Sequence, residues 1–95
     1  MHYNIYEVKN AEVTQLTIND AVAMRTLRLM SQRTITQYRL EQESGILHGA
    51  MDRILQSKNK TVTFTTIYRL ARGFNMTIHE FLDDDLFRRE DIELD

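Results

Sequence analysis

Along this chain apolar positions recur every three or four residues in a series of stretches, the spacing of one face of a helix. The first begins after Thr17 or Asn19, both good N-caps, and runs to about Gln32. Ile18, Val22, Thr26 and Leu29 form one stripe, with Ala23, Leu27 and Met30 beside it. The face is broad, as a globular core requires. Asp20 suits the positive end of this helix, while Arg25 and Arg28 fall outside both stripes and read as a solvated face, with phosphate contact as the sharper alternative. A second helix opens at Thr36, and a third, about 48–56, turns Ala50, Met51, Ile54 and Leu55 inward. The fourth has the clearest period: Phe64, Ile67, Leu70, Ala71 and Phe74, capped by Thr63, all predicted to be core. Asn75 suits a left-handed cap after it. The fifth starts at Thr77 with Glu80 three residues on, a capping box ahead of Phe81 and Leu82.

The two ends lack this period. Residues 1–17 alternate Tyr3 and Ile5 with Tyr6 and Val8, a β-prone arm that pairs with a second chain, docks on the helices, or stays unstructured. Residues 83–95 form an acidic tail that also holds Leu86, Phe87, Ile92 and Leu94. A solvated tail and a helix docked on the body or on another subunit are the two readings.

Between the second and third helices lies a turn. Leu40 and Ser44 sit one turn apart, and Gly45 falls where a helix ends in the left-handed conformation, so the chain reverses within a few residues. With ITQYRL before it, SGI at it, DRIL after it and TTIYRLARGFNMTIHEFL downstream, residues 18–82 resemble the Cro and phage-repressor (XRE) family of helix-turn-helix DNA-binding domains. The resemblance implies an all-α, five-helix domain that docks its third helix, residues 47–56, in the major groove of operator DNA. Position 41 departs from the family: Glu41 stands where a small Ala is usual, and it must reach solvent or a cation such as Arg25 or Arg53. Leu47 stands where the family caps this helix with Ser or Thr, and Gly49 in the first turn costs about 1 kcal/mol relative to Ala. A helix that frays at its start is the expectation.

Composition adds little until it is divided along the chain. Ninety-five residues, 42% apolar and 27% charged, suffice for one small core. The net charge of −2 looks wrong for a nucleic-acid binder, but residues 18–82 carry nine Arg or Lys and five acids, whereas residues 83–95 carry seven acids and two Arg. A basic body can still attract phosphate, because only nearby charges act at physiological salt. There are no cysteines, which excludes a disulfide scaffold and a thiolate metal site. No segment has the layout of a signal peptide or a membrane span, so the cytoplasm is the expected location.

The outer face of the third helix gives the base-reading candidates His48, Gly49, Asp52 and Arg53. Arg53 can bind guanine O6 and N7 together, Asp52 can accept from cytosine N4, and His48 can donate or accept. The plainer roles are a phosphate contact for Arg53, an idle imidazole for His48, and for Asp52 a charge that pairs with Arg53 or repels unwanted phosphates. Phosphate candidates are Thr36 and Gln37, at the positive end of the second helix, and Lys58, Asn59 and Lys60 in the polar loop after the third. His2, His48 and His79 lack metal-site spacing, and there is neither a glycine-rich phosphate loop nor a nucleophile motif. The chain is therefore expected to bind double-stranded DNA without metal or cofactor and without enzymatic activity. A homodimer on two half-sites is the expected form, its contact through the N-terminal arm or the fifth helix and tail. The alternative is an interaction module, such as an antitoxin or anti-repressor, holding a protein partner through the arm or the tail.

Overall fold

The computed structural model of the chain describes residues 16–94, so the arm expected at 1–17 lies, apart from Leu16 and Thr17, outside the described residues. Five α-helices follow in order: α1 Ile18–Arg33, α2 Gln37–Ser44, α3 His48–Leu55, α4 Phe64–Gly73 and α5 Ile78–Leu82, then one 3₁₀ turn at Asp85–Phe87. The architecture is all-α, as expected; among the described residues the only β pairing is an isolated parallel bridge between Thr17 and Glu93.

Helix starts follow local chemistry. Thr17 rather than Asn19 caps α1, its hydroxyl accepting from the Asp20 N–H at 3.0 Å while the Asp20 carboxylate accepts from the Thr17 N–H at 3.1 Å. Thr36, Thr63 and Thr77 each accept from the N–H three residues on, and Glu80 completes the expected box with Thr77. Helix ends are less conventional. Gly45 takes φ 74° after α2, but α1, α3 and α4 reverse at Thr34, Ser57 and Asn75, with φ between 54° and 58°. Each of these three ends carries the paired bonds of a Schellman motif, such as Ile35 N–H to Met30 O at 2.9 Å and Lys58 N–H to Arg53 O at 2.8 Å.

α1 is the axis of the fold and is buried on two sides. Val22 and Leu29 join Leu40, Ile46, Met51, Ile54, Leu55, Leu70, Ala71, Phe74 and Phe81 in the main core. On the other side Ala21 and Met24 pack with Leu16 and Leu86, and with the partly buried Phe87 and Ile92. Of the two readings of the tail, docking on the body is the one observed, though through a 3₁₀ turn, further turns and the Glu93 bridge rather than a helix. Ile18 N–H donates to Glu93 O and Glu93 N–H to Leu16 O.

Two expectations fail. Arg25 is only 8% exposed, not a solvated residue. Its Nε donates to Phe81 O at 2.8 Å, Nη2 to Glu80 O at 3.0 Å and Nη1 to Asp84 Oδ2 at 3.2 Å, and Arg28 meets the same carboxylate at 3.0 Å. Burial pulls the Arg25 pKa below its ordinary value and Asp84 opposes the shift. Phe64, placed in the core by its period, is 69% exposed, because as the first residue of α4 it precedes the turn that Ile67, Leu70 and Ala71 bury. Where α4 crosses α2, side chains of α2 fill the space beside Gly73: a Cβ there would lie 2.7 Å from Leu40 Cδ1 and 3.0 Å from Ser44 Cβ.

Removing the guanidinium leaves the Phe81 carbonyl without this donor and takes from Asp84 one of its two arginines, Arg28 remaining. Arg25→Ala is expected to cost about 1.5–3 kcal/mol, read from the urea midpoint. A loss below about 1 kcal/mol would match an exposed arginine instead.

Candidate nucleic-acid interface

α3 is held by three inward side chains, Met51, Ile54 and Leu55, which fixes the opposite face toward solvent. On that face lie His48 (72% of the side chain exposed), Gly49, Arg53 and the half-buried Asp52. All four base-reading candidates therefore share one accessible surface. Gly49 adopts an ordinary helical backbone, and a Cβ there would meet only Arg53 Nη1 at 3.8 Å. As expected, Leu47 makes no side-chain cap; it stands 80% exposed.

The start of α3 is nevertheless restrained, by a polar network that joins it to α2. Gln37 Nε2 donates to Glu41 Oε2 at 2.9 Å and to Asp52 Oδ1 at 2.7 Å. His48 Nδ1 meets the same Glu41 oxygen at 2.8 Å, and its Nε2 lies 3.4 Å from Asp52 Oδ2. Glu41 thus finds its partner in His48, not in Arg25 or Arg53, and Asp52 pairs with His48 and Gln37 rather than with Arg53. The physical reason is position. Arg25 is consumed on the far side of α1, while His48 begins the helix that abuts α2. The Glu41 carboxyl is held below its usual range by the His48 and then the Gln37 hydrogen bonds, and the His48 ring is raised above its ordinary 6.5 by Glu41 and then Asp52.

The phosphate candidates fall at two places beside α3. Thr36 is exposed and caps the Arg39 N–H at 3.1 Å, satisfying one of the N–H groups that the start of a helix leaves without an intrahelical partner. Gln37 sits beside it, its amide donor already shared by the two carboxylates. Lys58 and Lys60 are exposed on the loop after α3. Asn59 is turned into that loop instead: its Nδ2 donates to Thr61 O and its carbonyl accepts from Asn19 Nδ2 at 2.7 Å. Asp20 Oδ1 accepts from the Ser57 hydroxyl at 2.6 Å. Asn19 and Asp20 therefore hold the basic loop in place. Their role was hidden in the sequence, where both look like nothing more than helix-start residues.

Elsewhere, Phe64, Tyr68, Met76 and Ile78 line a groove of about 570 Å3 between α4 and α5, with Arg72 over the Tyr68 ring. Among the described residues no cluster of three or more His, Cys, Asp or Glu is placed to hold a metal, and no helix is long and apolar enough to cross a membrane.

Because the Gly49 backbone is helical and its surroundings are open, Gly49→Ala is expected to stabilise the fold by about 0.5–1 kcal/mol in thermal or urea unfolding. Destabilisation would show that the first turn of α3 is not helical in solution.

The sequence matches the family model described as the Cro/C1-type HTH DNA-binding domain over residues 27–85. Comparison with curated proteins and with solved structures found no match.

Proposed function

Because the chain belongs to the Cro/C1-type helix-turn-helix DNA-binding family, we propose that it is a sequence-specific transcriptional regulator, a repressor, that reads operator DNA in the major groove with residues 47–56. The observation that carries this reading is the placement of His48, Gly49, Asp52 and Arg53 together on the outward face of the helix after the Gly45 turn. Arg53 reads guanine, Asp52 accepts from a base amino group, and His48 and the Gly49 backbone approach the same edge. Thr36 and Gln37 at the start of α2, Gln37 through its backbone N–H, and Lys58, Asn59 and Lys60 in the loop after α3 meet phosphates on either side of the groove, with the Asn59 contribution that of its backbone and loop shape. A protein of this size covers few base pairs, so a homodimer on two half-sites about 34–36 Å apart supplies the specificity. The working compartment is the cytoplasm.

A second reading, a protein-binding antitoxin or anti-repressor on the same fold, is favoured by the exposed apolar groove at Phe64 and Tyr68.

Selection of the purified chain against random duplex DNA at two salt concentrations tests the proposal. A palindromic motif whose affinity falls with salt is expected. Arg53→Ala should then weaken the selected duplex by about 1–3 kcal/mol while changing random duplex less. Retention of no duplex even at low salt would transfer the function to the protein-binding reading.

A further inference from the structure

The four polar side chains at the α2–α3 junction form a closed ring. Two donors, Gln37 and His48, alternate with two carboxylates, Glu41 and Asp52, and every neighbouring pair lies between 2.7 and 3.4 Å apart. Glu41 is the least accessible of the three ionisable members, with 11% of its side chain exposed against 45% for Asp52 and 72% for His48. It faces inward across the ring, while Asp52 and His48 lie on the face of α3 that meets solvent.

We infer that Glu41 is a positioning residue for base reading: through Gln37 and His48 it fixes the Asp52 carboxylate and the His48 ring in one arrangement, so that sequence preference depends on Glu41 although Glu41 touches no base. This rests on the DNA-binding reading above and deepens it. The geometry also states which form of His48 the ring requires. Both imidazole nitrogens face carboxylate oxygens, Nδ1 toward Glu41 of α2 and Nε2 toward Asp52 of α3. A neutral imidazole has one N–H and must turn a lone pair on one of the two anions; the imidazolium donates to both. Among the described residues these two carboxylates are the charges that act on the imidazole; Arg53 lies further along α3, its Nη1 3.8 Å from where a Gly49 Cβ would stand.

The sign of the pH effect follows. With the imidazolium the ring carries one net negative charge, and with the neutral imidazole it carries two, on a surface that must approach phosphates. His48 is already held above 6.5 by the two carboxylates, and a phosphate backbone nearby raises it further. Binding therefore takes up a proton. Affinity and selectivity are greatest below the free-chain value and fall as pH rises from there through the bound-state value, by about tenfold for each unit separating the two.

The test uses the full chain, the duplex recovered by selection and a random duplex of equal length, with affinities measured from about pH 6 to about pH 8.5 and the His48 ring protons followed by NMR. For the wild type, preference for the selected duplex falls as pH rises. Glu41→Gln keeps the shape but removes the charge; it is expected to lower the His48 midpoint in the free chain and to move the fall in preference to lower pH. His48→Gln, at an exposed position outside the core, should abolish the fall. Superimposable profiles for the wild type and Glu41→Gln, an unchanged His48 midpoint in that variant, or affinity that climbs with pH would each overturn the inference while leaving DNA binding intact. Retention of neither duplex at any pH would overturn the DNA-binding reading itself, and this inference with it.

Discussion

A single buried cation ties this fold together. Arg25 lies in the middle of α1, and its guanidinium reaches the Glu80 and Phe81 carbonyls near the end of α5 and the Asp84 carboxylate of the tail. α5 is five residues long, too short to hold a helical shape by its own hydrogen bonds. It is held by its capping box, by Phe81 in the core, and by the arginine at its C-terminal end, where a cation meets both the unpaired carbonyls and the negative end of the helix dipole. The tail then continues along α1, and Asp84, Leu86 and Glu93 attach it at successive points. A charge that would be costly in an apolar interior is tolerated here because each face of it has an acceptor.

The first turn of α1 also serves the proposed DNA-facing surface. Asn19 and Asp20 hold Asn59 and Ser57 of the loop that carries Lys58 and Lys60 beside α3. The same helix contributes Val22 and Leu29 to the core against which Met51, Ile54 and Leu55 of α3 pack. Seating α3 by one face is what presents His48, Asp52 and Arg53 together on the other. The acidic tail, which in free solution would compete with phosphate for the basic body, is partly neutralised within itself and against α1, with Arg28 on Asp84 and Arg88 on Asp83 and Asp85.

What was legible in the sequence is what is decided locally. The caps at Thr36, Thr63 and Thr77, the Gly45 turn and the burial of Leu70, Ala71 and Phe74 depend on neighbours within a turn or two, and all appear where the pattern puts them. Arg25 was misread because its acceptors lie 55 or more residues away, and periodicity assigns a charge to solvent by default. Phe64 was misread for the converse reason: the period continues to the first residue of α4, but no other element covers that residue. Thr34 and Ser57 take the left-handed conformation without the glycine that would have announced it. The partner of Glu41 was visible as a need but not as an identity. Only the crossing of α2 and α3 shows that His48, rather than an arginine, stands opposite it.

The most direct measurement on the central claim is an amide chemical-shift map of the isotopically labelled chain titrated with duplex DNA. If α3 and its flanks form the DNA surface, the largest changes fall at residues 36–37, 48–53 and 58–60, with the middle of α1 around Arg25 and the tail little affected. Changes concentrated instead at Phe64, Tyr68, Met76 and Ile78, with α3 silent, would contradict it.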